Sequence, residues 1–287
     1  MSQKREKIDK RIFIVGCSRS GTTLLQGLFG GHPRIHTFPE TSFFINTIGV
    51  KRRPLAYLGF STKKAHWAVE RFLRRIERGD LIDLFPNRPI FIKRAIDSFI
   101  AILDGLAVEA KKDIWVEKSP MHIRFIPFIE RYVSDYSIVH IIRDGRDVVA
   151  SMYDRSFKLP EFFYKQRSPK YNVKYWNRYI KVSRRYINSP RHYFVFYDRL
   201  IEDTRSIMES LCNKIGIEYD PKVESMTKTA KELLEIEGAA WYGKLESPKV
   251  RESKFQKLFD EKARNEIERS LLLETAAEMK RLCGSDL

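Results

Sequence analysis

Four short apolar runs punctuate the chain, at residues 12–15 (Ile-Phe-Ile-Val), 114–116 (Ile-Trp-Val), 138–142 (Ile-Val-His-Ile-Ile) and 193–197 (Tyr-Phe-Val-Phe-Tyr). Runs of this length and composition fit strands covered on both faces, as in a parallel sheet. Between them lie segments whose apolar positions recur every three or four residues, the period of a helix with one buried face. They predict helices over 22–29, 65–76, 95–110, 144–153, 171–186, 204–215 and 261–282. Strands alternating with helices make βαβ units. Right-handed crossovers then give a doubly wound parallel α/β sheet flanked by helices on both faces. The region 216–252 breaks this rhythm with Gly238-Ala-Ala-Trp-Tyr242 and Ser247-Pro248, and reads as a long functional loop or lid. No Gly/Ser/Pro-rich stretch separates two apolar regions, so residues 1–287 are expected to form a single domain.

The first strand runs into Gly16-Cys-Ser-Arg19-Ser20-Gly21-Thr22-Thr23, which opens a helix. A glycine-bearing turn in that place aims backbone N–H groups and the positive end of the helix dipole at a phosphate. The glycine spacing is that of a P-loop, but Thr22 stands where a nucleoside triphosphatase carries its lysine. The cation lies inside the loop instead, at Arg19. A second constellation is Ile141-Ile-Arg143-Asp-Gly-Arg146-Asp-Val-Val-Ala-Ser151, continuing to Arg155. Arg143 ends a strand, and Ser151 and Arg155 share one face of the helix that follows. A guanidinium fork with a hydroxyl suits a phosphate monoester. Arg146 and Asp147 read as a charged ladder on a surface helix.

Charge widens the picture without naming a partner. The sequence holds 53 Lys plus Arg against 37 Asp plus Glu, a formal net charge of +16. Short basic clusters, as at Lys51-Arg52-Arg53 and Lys63-Lys64, are equally compatible with a solvated surface and a face for polyanions. No zinc-finger spacing, RNP-like motif or basic zipper accompanies them, so no specific nucleic-acid partner is expected. Cys17, Cys212 and Cys283 match no metal-ligand or disulfide pattern, and no apolar run reaches the length of a membrane span. The expectation is a soluble, cytoplasmic protein with no metal.

Taken together, the loop Gly-x-x-Arg-Ser-Gly-Thr-Thr and the segment Ile-Arg-Asp-Gly-Arg-Asp-Val-Val-Ala-Ser resemble the sulfotransferase superfamily, in the style of its bacterial, carbohydrate and tyrosylprotein branches. That resemblance implies 3′-phosphoadenosine 5′-phosphosulfate (PAPS) as the sulfonyl donor. It implies that Arg19, Ser20, Gly21, Thr22 and Thr23 hold the 5′-phosphosulfate and that Arg143, Ser151 and Arg155 hold the 3′-phosphate. Tyr197, in Phe-Tyr-Asp-Arg-Leu, matches the family's nucleotide-side tyrosine, though a strand-end aromatic in the core fits it as well. Lys254, in Ser253-Lys254-Phe255, resembles a degraded nucleotide loop. Sulfonyl transfer needs fixed cations where charge develops, and Arg19 and Lys118 are the candidates. Lys118 could instead pair with its neighbour Glu117. Glu40, in Phe38-Pro39-Glu40-Thr41, aligns with the family's catalytic glutamate and is the candidate base, ahead of His36 and His122.

The leading reading is therefore in-line sulfonyl transfer to a hydroxyl or amine. A nucleoside or small-molecule kinase with an altered loop, or a non-catalytic nucleotide-binding protein of the same fold, are the alternatives. The loops at 32–60 and 238–252 are expected to line the acceptor site, with carbohydrate, lipid, phenol and peptide tyrosine all open. Neither acceptor identity nor oligomeric state is written in these residues.

Overall fold

A computed structural model of the protein describes residues 8–50, 53–158, 168–224 and 253–284. In chain order the elements are β1 (Lys10–Gly16), α1 (Thr22–Gly30), β2 (Ile35–Phe38), α2 (Phe43–Ile48), α3 (Arg53–Tyr57), α4 (Lys64–Arg75), α5 (Ile92–Glu109), β3 (Ile114–Lys118), α6 (Ile126–Tyr132), β4 (Tyr136–Ile142), α7 (Gly145–Lys158), α8 (Pro169–Arg184), β5 (His192–Phe196), α9 (Tyr197–Glu202) and α10 (Thr204–Ile215). Three further helices follow, at Lys254–Leu258, Glu261–Ser270 and Leu273–Gly284. The strands form one sheet in the order β2-β3-β1-β4-β5, with β3 parallel to both β1 and β2. The parallel α/β sheet expected from the alternating pattern is the observed fold.

The described residues cluster into two units, and β1 is divided between them. The first contains 8–14, 23–50, 53–138 and 220–224. Its core is aromatic: Phe13 of β1 meets Trp115 of β3 edge-on at 5.2 Å, and Phe43 stacks on Phe99 at 3.8 Å. Helix α5 delivers Phe99 because Ile92, Ala95, Ile96, Phe99, Ile102, Leu103 and Leu106 are all buried, one stripe at helical spacing. β2 escapes the apolar pattern. It has four residues, and only Ile35 and Phe38 are buried, so its identity comes from pairing with β3 rather than from its own composition.

The second unit contains 15–22, 139–158, 168–219 and 253–284. Here α10 shows both ends of the helix code: the Asp203 carboxylate accepts the Ser206 N–H at 3.0 Å, and Gly216 closes the helix at φ 82°. The helix expected over 261–282 is instead two helices. The break falls where the Asn177 side chain of α8 donates to the Ser270 carbonyl (2.8 Å) and accepts the Leu272 N–H (3.1 Å). A tertiary partner thus takes the backbone groups that a continuous helix would pair internally. Of the expected loop at 216–252, residues 225–252 lie outside the described residues.

Behind β4 and β5, His140 Nε2 lies 3.0 Å from His192 Nδ1, and His140 Nδ1 lies 3.1 Å from Ser183 Oγ. Tyr186 stacks on His192 at 4.5 Å and Phe194 on His140 at 4.7 Å. Burial, and then the charge of His192, holds His140 well below the usual imidazole range; burial pushes His192 down to about 4. In the unfolded chain both titrate near 6.5, so between that pH and 4 the unfolded state binds more protons. The stability these rings contribute is complete above pH 6.5 and is lost as pH falls toward 4. For His192, discounted for the part of it that water reaches, the loss is on the order of 2 kcal/mol, or about 4–8 °C in Tm. A thermal melt series across that window should show this fall, and the double variant H140F/H192F should flatten it. An unaltered slope in that variant would assign the acid sensitivity to other groups.

Candidate active site

The turn after β1 is shaped by close approaches. A Cβ on Gly16 would lie 2.6 Å from the Ile141 carbonyl oxygen. At Gly21, with φ 94°, a Cβ would lie 2.4 Å from the Tyr197 ring. Only glycine fits at Gly21, on both backbone and steric grounds. Between them Arg19 sits in the left-handed region at φ 74°, and the Ser20 N–H donates to the Cys17 carbonyl at 3.1 Å. Left-handed backbone at a non-glycine residue is strain, and strain of this kind collects at ligand-binding turns. The Ser20 hydroxyl is buried with no hydrogen-bond partner.

Arg19 Nε donates to Ser151 Oγ at 3.2 Å, joining the turn to α7. The two motifs read from the sequence are therefore in contact. Tyr197, the first residue of α9, lies against Gly21 on one side, and the Arg143 guanidinium sits 4.3 Å from its ring centroid. Tyr197 thus supports the arginine by a cation–π contact as well as filling space. Arg143 Nη2 also donates to Asp147 Oδ2 at 3.2 Å, and Trp176 Nε1 donates to the Arg143 carbonyl at 3.1 Å. Its Nε is buried and unpartnered. Arg155 is half-buried one turn beyond Ser151 on α7.

Asp147 departs from the surface-ladder reading. While Arg146 does pair outward with Asp144 at 2.6 Å, Asp147 accepts from both Arg143 and Ser253 Oγ (2.7 Å). Its position four residues after Arg143, in the first turn of α7, is the signal that could have found it. Lys254 Nζ sits 2.5 Å from Asp154 Oδ2, so the Ser253-Lys254 segment is fastened to α7 by two acids. Burial favours the neutral form of Asp154, yet Lys254 and Lys158 outweigh it and hold its pKa below the usual carboxylate value. A cavity of about 640 Å³ lies beside this group, with Arg143, Asp147, Trp176, Ser253 and Phe255 among its walls.

A second cluster stands in the first unit. Lys118 is the last residue of β3, and Glu40 follows β2 by two positions; β2 and β3 pair with Phe38 opposite Glu117. Lys118 Nζ lies 3.4 Å from Glu40 Oε2, with the lysine side chain only 3% exposed and the glutamate 36%. Lys118 therefore pairs with Glu40. Glu117 is occupied elsewhere: fully buried, it accepts from Thr41 Oγ1 (2.7 Å), Ser119 Oγ (2.5 Å) and His122 Nδ1 (2.9 Å). Burial alone would raise its pKa, but His122, Ser119 and Thr41 hold it below the usual value. His122 Nε2 accepts the Phe44 N–H at 3.2 Å, so the proton of the neutral ring is on Nδ1 and both nitrogens are committed. His36 lies within β2, edge-on to Phe38 at 4.7 Å, and burial lowers its pKa.

The backbone around Glu40 is tied down independently of its carboxylate. Arg75 Nη1 donates to the Glu40 carbonyl (3.1 Å), and the Ser42 N–H donates to Ser119 Oγ (3.0 Å). A cavity of about 240 Å³ opens beside it, walled by Glu40, Asn46, Trp67, Arg71, Phe72 and Arg75. Sequence reasoning passed over the Glu117–His122–Thr41–Ser119 network. A lone glutamate inside an apolar strand was its only sign.

A parallel α/β sheet with a glycine-bearing turn between its central strand β1 and α1 defines the class as P-loop-like. Within that class the chain belongs to the sulfotransferase family, whose family model matches residues 11–221. Protein-tyrosine sulfotransferase 2 of Gallus gallus is 23% identical over 220 residues, covering 74% of this chain and 52% of that protein. The chain thus spans about half the length of that relative. Among solved structures, the sulfotransferase domain from the curacin biosynthetic pathway superposes with a TM-score of 0.57 at 16% identity, over 88% of this chain and 96% of that one. The sulfotransferase domain of the Synechococcus PCC 7002 olefin synthase gives 0.56 at 17% identity, over 98% and 97%. These two show the shared fold.

Proposed function

We propose that residues 1–287 act as one PAPS-dependent sulfotransferase domain, transferring a sulfonyl group to a hydroxyl or amine acceptor. The observation that carries this reading is the pair of orphaned buried donors, Ser20 Oγ and Arg143 Nε, in a unit where Arg19 already contacts Ser151. Buried donors without partners are costly unless a ligand supplies the acceptors, and an anion with several oxygens does so. When bound, PAPS supplies the sulfonyl group and departs as adenosine 3′,5′-bisphosphate. Ser20, Gly21, Thr22 and Thr23 bind the 5′ side through hydroxyls and backbone N–H groups at the start of α1. Arg143, Ser151 and Arg155 bind the 3′-phosphate, with Tyr197 and Asp147 orienting Arg143. Lys254 contributes at the rim.

In the first unit Glu40 takes the acceptor proton at a carboxylate oxygen, and Lys118 orients that carboxylate. Lys118 and Arg19 supply the fixed positive charge that sulfonyl transfer demands. The acceptor reaches Glu40 through the cavity walled by Trp67 and Arg71.

Calorimetric titration tests the donor assignment. Adenosine 3′,5′-bisphosphate should bind in the presence of a chelator, and ATP should bind no better when magnesium is added. Magnesium-dependent ATP binding without bisphosphate binding would replace this reading with a kinase.

A further inference from the structure

Large apolar side chains exposed to solvent are concentrated in one stretch of the first unit. Leu58 (72% exposed), Leu84, Ile90 and Phe91 are the most prominent, with Leu55 and Phe60 beside them in sequence. Two loops hold the Leu58–Phe60 and Ile90–Phe91 part of this group together. Phe60 and Phe91 form an antiparallel bridge with their rings 6.3 Å apart, the Ser61 N–H donates to the Ile90 carbonyl (2.9 Å), and the Ile92 N–H donates to the Gly59 carbonyl (2.8 Å). The apolar tips therefore project from a clamped pair of loops, each braced by the other's backbone.

The charge around them is predominantly basic, with Asp83 beside Leu84 and Asp97, paired to Lys93, at its edges. No Asp or Glu occurs from Thr41 to Val69 or from Leu84 to Ile96. Lys63, Lys64, Arg88 and Arg94 are exposed within these stretches, and none has a carboxylate partner among the described residues. A contiguous apolar patch on a surface marks an interaction site. A second copy of this chain would bring like charges together, at a net charge of +16 per copy. An anionic bilayer accommodates both features: apolar tips enter the boundary between headgroups and acyl chains, while the surrounding cations meet lipid phosphates.

We propose that the segments 55–60 and 84–91, clamped together at Phe60 and Phe91, dock the protein peripherally on an anionic lipid surface. The docking needs no membrane span, and no helix among the described residues is long and apolar enough to cross one. Co-sedimentation of the intact protein with vesicles tests it. Vesicles of phosphatidylcholine mixed with phosphatidylglycerol should retain the protein at least about tenfold better than phosphatidylcholine alone, because the cations gain only from anionic headgroups. The variant I90D/F91D should lose that retention, as should K63E/K64E, and both should keep the parent's circular dichroism and Tm because these side chains are exposed. The milder I90S/F91S provides the same readout if the aspartates perturb folding. Equal binding to both vesicle types, or retention unchanged in I90D/F91D and K63E/K64E, overturns the proposal. So does a lipid-free dimer, seen by sedimentation velocity, that I90D/F91D dissociates; the patch would then be an interface between copies.

Discussion

Glu40→Gln lowers turnover by about 10²-fold or more and leaves affinity for adenosine 3′,5′-bisphosphate nearly unchanged. Glutamine keeps the size of the side chain and can still accept from Lys118 Nζ, but it cannot take the acceptor's proton. The loop's backbone is held by Arg75 on the Glu40 carbonyl and by Ser119 on the Ser42 N–H, and the Ser42 hydroxyl's bond to the Glu40 carboxylate (3.4 Å) can be kept by the glutamine oxygen. Loss of turnover in a variant with normal Tm is therefore attributable to chemistry. The acidic limb of the kcat profile should vanish with it. If Glu40 only braced the loop, the result would reverse: a lower Tm with near-normal turnover of the folded enzyme. Of the two histidines that could inherit the role, His122 has both ring nitrogens engaged. Near-normal turnover in Glu40→Gln would thus point to His36.

For Arg143→Ala the expected result is a roughly tenfold to hundredfold weaker Kd for adenosine 3′,5′-bisphosphate, the equivalent of about 1.5–3 kcal/mol for a lost charge-assisted hydrogen bond. Two intramolecular contacts go with the side chain. The cation–π contact with Tyr197 is worth about 0.5–1 kcal/mol, and the partly buried pair with Asp147 up to about 1 kcal/mol. Both register as stability, so Tm and Kd are measured on the same samples. Arg143→Lys separates charge from geometry: it keeps the cation and loses the planar fork, and should fall between wild type and alanine. Unchanged bisphosphate affinity in a folded Arg143→Ala protein would remove the 3′-phosphate assignment.

Much of the site was legible before any coordinates. The β1–α1 turn is local, and its glycines, arginine and hydroxyls must lie together whatever the rest of the chain does. The same holds for Arg143 and Ser151, set by a strand end and the helix after it. The four apolar strands are written as short continuous runs because both their faces are buried, and the helices α1, α4, α5, α7, α8 and α10 as a 3.6-residue repeat because one face is. What the chain pattern could not express was pairing between distant positions. Glu40 and Lys118 are separated by 78 residues, Arg19 and Ser151 by 132, and Asp147 and Ser253 by 106. None of these separations carries a periodic signal. β2 was invisible because half its residues are polar and its partner supplies the ladder. The break at Leu271 and Leu272 was invisible because Asn177, far away on α8, takes the freed backbone groups. Lys118 turned to Glu40 rather than to its neighbour because Glu117 was drawn into the core by His122, Thr41 and Ser119. Local sequence determined which chemistry was present; only the packed sheet decided which charges meet, because a buried charge takes whichever partner the fold brings within hydrogen-bonding reach.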